Sequence, residues 1–310
     1  MKTAVRTSVL PVSSLRAAAL GITLAIAQFV PAFAAAQSTP QAAEVPAAVA
    51  IPRPTPAEVD TITRSFANFK SSLPAADKAL LDKYPNVLEV RVPGANTAVI
   101  PDLSPRFVEK HEQNKAVAAA GNIDVLFMGD SITDWWRNAD GNFAGKPVFD
   151  KYWGNLKVAN FGIAGDTTQG VLYRLRNGEG QGFSPKAIML MIGTNNTRAN
   201  SAAEIAEGVG AIVLELQKDF PNAKILLLGI FPRSTPVDPV RAQIGEINTI
   251  ISRLHDGDKV HYLDIGKVFL DSNGNIPLDV MSDGLHPTTK GYELWAAAVQ
   301  EPLAALIDAR

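Results

Sequence analysis

Five residues of this chain are of types that acyl-transfer chemistry uses, and they fall in four separate stretches. Ser131 lies in "GDSIT" (129–133), Gly165 in "GIAGDTT" (162–168) and Asn195 in "GTNNT" (193–197), while Asp283 and His286 share "MSDGLHP" (281–287). An alcohol is a weak nucleophile until a base removes its proton in the transition state. Histidine suits that role because it titrates near working pH. The chain has four histidines. His111 falls in an early helical stretch, His255 in the charged "RLHDGDK" and His261 in a strand-like run. His286 stands three residues after Asp283, a spacing at which a tight turn can bring carboxylate to imidazole. Such a carboxylate fixes the tautomer and stabilises the imidazolium as it forms. The tetrahedral intermediate also needs preset donors for its oxyanion. The Ser131 N–H, the Gly165 N–H and the Asn195 amide are candidates. Each residue alone has a plainer reading: a helix cap for Ser131, a turn for Gly165, a loop cap for Asn195, a chance turn for the Asp-x-x-His pair. Their arrival together at successive strand ends favours the chemical reading.

Those strand ends follow from the hydrophobic pattern. "IDVLFMG" (123–129), "LKVANFG" (156–162), "AIMLMIG" (187–193), "AKILLLGIF" (223–231) and "VHYLDIG" (260–266) are apolar runs of the kind that strands covered on both faces show. Helical stretches alternate with them at 167–176, 201–219 and 239–255, and a further one closes the chain at 289–308. Ser201 with Glu204 forms a capping-box pattern at the start of the second. Alternation at this spacing predicts an α/β fold, a five-stranded parallel sheet with helices on both faces. In such sheets active groups gather beyond the carboxyl ends of the strands.

The segments "FMGDSIT", "NFGIAGDTTQGVLYRLRNGEG", "IGTNN" and "SDGLHPTTKGYELWA" resemble, in order, the four signature blocks of the SGNH hydrolases, the GDSL esterase/lipase family. The second block is most similar to the platelet-activating-factor acetylhydrolase-like branch. The resemblance covers roughly residues 123–300. It implies a flavodoxin-like α/β/α sandwich, with Ser131 as nucleophile, His286 as base and Asp283 as its orienting partner. It also implies an oxyanion hole of Ser131, Gly165 and Asn195, with no metal and no cofactor. Ile132 stands where the family name has Leu, one apolar residue for another. The reaction expected is hydrolysis of a small ester, an acetyl ester on a carbohydrate or another polar alcohol, through an acyl-enzyme. A lysophospholipase or thioesterase uses the same machinery. A non-catalytic envelope or carbohydrate-binding protein on this fold is the rival from another class.

Composition narrows the rest. The 310 residues carry a formal charge of −2, which gives no sign of a nucleic-acid partner. There is no cysteine, so thiol catalysis, disulfides and Cys-based zinc sites are excluded. Residues 1–34 read as a signal peptide: Lys2, Arg6 and Arg16, then an apolar run over 17–30, then Ala32-Phe33-Ala34 as a cleavage pattern. The apolar run falls short of the ~20 residues of a spanning helix. The expected location is periplasmic or secreted, with no membrane span once the leader is gone; a retained anchor is the alternative. Residues 35–57, rich in Ala and Pro, read as a linker and 58–122 as a helical or extended arm, leaving 123–310 as the hydrolase domain. Asp130, Trp135 and Trp136 are candidate substrate contacts beside the nucleophile, with core packing the competing reading for the tryptophans and for Trp153. Arg198 could meet an anionic substrate group; a surface ion pair is the simpler reading.

Overall fold

A computed structural model describes residues 41–84 and 95–308. The leader expected at 1–34 and part of the arm expected at 58–122 lie outside the described residues. The five apolar runs each contain one strand: β1 (Val125–Gly129), β2 (Val158–Asn160), β3 (Ala187–Met191), β4 (Lys224–Leu228) and β5 (Val260–Leu263). All pair in parallel, in the order β2-β1-β3-β4-β5. Alternate side chains explain why whole runs are apolar. Leu126, Met128, Ile188, Leu190, Ile225 and Leu227 join one core. Val125, Phe127, Ala187, Met189, Leu226 and Leu228 join the other. A strand buried on both faces has no polar side to show.

Helices cover both faces. On the first core lie α3 (Val108–Ala120), α6 (Thr168–Arg174), α7 (Ala202–Asp219) and α8 (Pro239–Ile251). On the second lie α5 (Lys146–Trp153) and α9 (Thr289–Asp308), the latter through Tyr292, Trp295, Val299 and Leu303. The capping box expected at α7 is formed: Glu204 N–H donates to Ser201 Oγ, and Ser201 N–H to Glu204 Oε2 at 2.8 Å. A one-turn helix, α4 (Ser131–Asp134), follows β1 directly.

The N-terminal part departs from expectation. Part of the stretch read as linker is docked on α7: Ala43 and Val49 are buried, Ile51 N–H donates to Glu207 Oε1 at 2.7 Å, and Arg53 pairs with Glu207. A buried carboxylate supplies the partner that the Ala/Pro composition hides. Residues 95–122 are also built into the hydrolase fold, with Ala98, Val99, Phe107 and Ala118 in its core, so its packing does not begin at 123. Helices α1 (Pro56–Ser72) and α2 (Ala75–Lys83), by contrast, bury no side chain. No helix among the described residues is long and apolar enough to cross a membrane.

This order matters for the site. From β1 the chain moves to β2 on one side, then returns to β3 and proceeds to β5 on the other. The carboxyl ends of β1 and β3 therefore flank the point where the winding reverses, where open α/β sheets form a crevice.

Candidate active site

Ser131 is the first residue of α4, at that crevice. The helix is capped by Asp130, whose Oδ1 accepts the Ile132 N–H at 3.0 Å. The cap role considered for Ser131 thus belongs to its neighbour, and the serine hydroxyl is left for other work. Gly129 makes the turn possible. A Cβ there would collide with the Thr133 side chain and meet the Met191 carbonyl of β3 at 2.5 Å.

The other members arrive as the four stretches suggest. Ser131 Oγ lies 2.9 Å from His286 Nε2. His286 Nδ1 lies 2.6 Å from Asp283 Oδ2. The Asp283 carboxylate is fixed from its other oxygen, which accepts the Leu285 N–H at 2.9 Å and the His286 N–H at 2.8 Å. Burial opposes the Asp283 charge, but the His286 ring and these two N–H groups outweigh it and hold the carboxyl below its ordinary range. An ionised Asp283 demands a proton on Nδ1, which leaves Nε2 as an acceptor facing the serine hydroxyl. That tautomer can accept the hydroxyl proton as the oxygen attacks a carbonyl, then return it to the leaving group.

The two further residues expected to serve the oxyanion, Gly165 and Asn195, lie on loops joined by a hydrogen bond from the Asn195 amide to the Asp166 carbonyl. Gly165 takes a φ of +86°, a left-handed conformation that suits glycine. Its loop is held by α4 and the turn after it: Ala164 N–H donates to Asp134 Oδ2 at 3.0 Å, and Arg137, itself paired with Asp134, donates to the Gly162 carbonyl at 2.7 Å. Asn195 donates one amide N–H to the Asp166 carbonyl at 2.8 Å, which orients the group and leaves its second N–H free. Asp166 is itself anchored by fully buried Arg174, whose Nη2 lies 2.9 Å from Asp166 Oδ2. Arg174 also pairs with Glu179, which accepts from His111 Nδ1 at 2.8 Å and from Asn114. Spacing gave no hint of this cluster.

The candidate substrate contacts divide. The Trp135 ring lies over His286 with centroids 4.0 Å apart, and Phe143, which sequence reasoning missed, packs on both, 5.7 Å from His286. Trp136 is 1 % exposed, packed among Tyr292, Trp295 and Trp153, and is a core residue. Trp153 is buried beside it. Asp130 is also 1 % exposed and spends its carboxylate on the α4 cap, so it does not reach substrate. Burial pushes its carboxyl up to about 7, against the Ile132 N–H and with the nearby Asp166 charge adding to the rise. Arg198 is exposed and, among the described residues, makes no ion pair, contrary to the simpler reading.

The GDSL-like Lipase/Acylhydrolase family profile matches residues 127–294. The rat platelet-activating factor acetylhydrolase IB subunit alpha2 is 36% identical over 203 residues, covering 65% of this chain and 83% of the relative. The human protein of the same name is 35% identical over the same length and coverage. A candidate acylhydrolase from Bacteroides fragilis superposes with a TM-score of 0.52 at 21% identity, over 66% of this chain and all (100%) of that one. A lipolytic protein of the G-D-S-L family from Veillonella parvula gives 0.50 at 19% identity, over 59% and 98%. The chain belongs to the GDSL-like lipase/acylhydrolase family and is an ester-cleaving hydrolase.

Proposed function

We propose that this protein is an exported serine esterase that removes small acyl groups, acetyl above all, from a polar alcohol such as a carbohydrate. Ser131 attacks the ester carbonyl while His286 takes its proton. Asp283 holds the imidazole and balances its charge. The Ser131 and Gly165 N–H groups and the Asn195 amide receive the oxyanion. His286 then protonates the departing alkoxide, and water repeats the sequence on the acyl-enzyme.

The observation that carries this reading is the unbroken hydrogen-bonded line from Asp283 through His286 to Ser131, at 2.6 and 2.9 Å. Two further points support a small acyl group. Trp135 and Phe143 crowd the imidazole edge of the site. The rat and human relatives are named acetylhydrolases, which agrees with an acetyl group here. The leader-like residues 1–34 support export.

The test is hydrolysis of para-nitrophenyl acetate, butyrate and octanoate beside Ser131→Ala. We expect turnover that falls with chain length and vanishes in the variant, whose melting temperature stays near that of the wild type. Turnover that rises with chain length would make the enzyme a lipase or lysophospholipase. Turnover indifferent to Ser131 would remove the nucleophile, and no turnover on any of the three would count against simple small-acyl esters as substrates.

A further inference from the structure

The loop after β4 brings one more group to the crevice. Arg233 lies between two parts of the site. Its Nη1 donates at 3.3 Å to the carbonyl and hydroxyl oxygens of Thr194, the residue before Asn195. On its other side, Ser234 N–H donates to the carbonyl of Gly284 at 2.8 Å, next to Asp283. The loop is fastened from behind. Arg241 Nε donates to the Arg233 carbonyl at 3.0 Å and its Nη1 to the Gly274 carbonyl at 3.1 Å. Ser234 is held at a φ of +60°, a conformation costly for a residue with a Cβ.

Among the described residues, Arg233 has only neutral acceptors as hydrogen-bond partners, and Arg198 has none. The surrounding acids are occupied. Asp238 accepts from Ser234 Oγ at 2.6 Å and from Val240 N–H at 3.0 Å. Asp130 is buried under α4. Burial, and then the neighbouring Arg198 charge, hold the Arg233 guanidinium below its ordinary value. Arg198 ends the single turn Thr194–Arg198 whose first residue Arg233 holds, so both arginines attach to the turn that carries Asn195. Guanidinium forks match carboxylate and phosphate oxygens in geometry as well as charge.

The geometry points to Arg233 and Arg198 as the specificity pair of this site, receiving a carboxylate or phosphate carried on the alcohol part of the ester. The inference rests on the proposed function in one respect: if the acyl group is acetyl, whatever reaches these arginines belongs to the alcohol.

Two matched pairs of substrates test it: para-acetoxybenzoate against para-acetoxybenzamide, and acetylated glycerophosphate against glycerol monoacetate. The readout is the ratio of kcat/KM for the charged over the neutral member, in the wild type and in Arg198→Gln/Arg233→Gln. The wild type should prefer the charged member in at least one pair, and the double variant should lose roughly 10- to 100-fold of that ratio. Which pair shows the larger preference tells carboxylate from phosphate. A wild type without preference in either pair, or a double variant that keeps it, overturns the assignment. Arg198→Gln alone, an exposed change, guards against misfolding of the double variant and should lower the ratio by a smaller factor. Calorimetric binding of the four esters to the Ser131→Ala protein keeps this question apart from the catalytic one: the charged members should bind tighter even if no ester is turned over, and equal binding counts against the pair.

Discussion

Two acid–imidazole pairs lie among the described residues, built alike at the contact and opposite in everything else. His286 meets Asp283 at 2.6 Å and His111 meets Glu179 at 2.8 Å. The His286 and Asp283 side chains are 15% and 41% exposed, those of His111 and Glu179 4% and 0%. The Asp283 carboxylate serves its own turn and one ring. Glu179 is shared with Arg174 and Asn114, inside a cluster that also holds Asp166. An acid–imidazole pair is therefore not a site by itself. It becomes one where the second ring nitrogen faces a hydroxyl at the mouth of a crevice. The buried pair instead closes a charge cluster that anchors Asp166, whose carbonyl aims Asn195.

The sharpest break of this comparison is to cut both histidines. His286→Asn should lower kcat on para-nitrophenyl acetate on the order of 10⁴- to 10⁶-fold with little loss of stability. His111→Asn should leave kcat within several-fold and cost about 1–3 kcal/mol in denaturant unfolding, because a buried acceptor loses its donor. Similar losses of activity in the two would erase the distinction. Next in size is Asn195→Ala, which joins the two regions through Asp166. It should lower kcat by roughly 10²–10³-fold while KM changes little, as for one oxyanion donor. An unchanged kcat would leave Asn195 as a loop residue only.

The smallest effect concerns Asp130, an acid beside the nucleophile that belongs by burial with the interior. Its folded carboxyl titrates at about 7, above the ordinary carboxylate value. Folding therefore favours the protonated form. Its contribution to stability is full at acid pH and is lost as pH rises from the unfolded value through about 7. Asp130→Asn keeps an oxygen for the Ile132 N–H and removes the charge. It should match the wild type near pH 4 and exceed it at pH 8, by on the order of 1–4 kcal/mol. Parallel stability curves for the two proteins would refute the assignment.

Much of this was legible beforehand where burial and covalent order leave marks. Runs such as "AIMLMIG" exposed β3 because both its faces are covered, and the Ser201–Glu204 pattern marked the start of α7. Ser131, Asp283 and His286 stood out by type and spacing, and the fold brings them together. What stayed hidden depends on partners far along the chain. Arg53 looks like linker until Glu207, 154 residues later, takes its charge. Arg174 has its partners Asp166 and Glu179 close by in sequence, but only the packing around them shows that all three are buried. Asp130 and Trp136 sit beside the nucleophile in sequence yet turn inward, the one to cap α4 and the other, in the turn after it, to pack on Tyr292 and Trp295.

The bond between Ser131 and His286 closes a loop of 155 residues. Four of the five strands are threaded within that interval, and α9 then returns so that Tyr292 can donate to the Ile132 carbonyl at 2.8 Å. During synthesis the nucleophile leaves the ribosome long before its base. No partly made chain can hold an acyl-enzyme by this chemistry, and catalysis becomes a timer that starts only when the last turn has locked against the first.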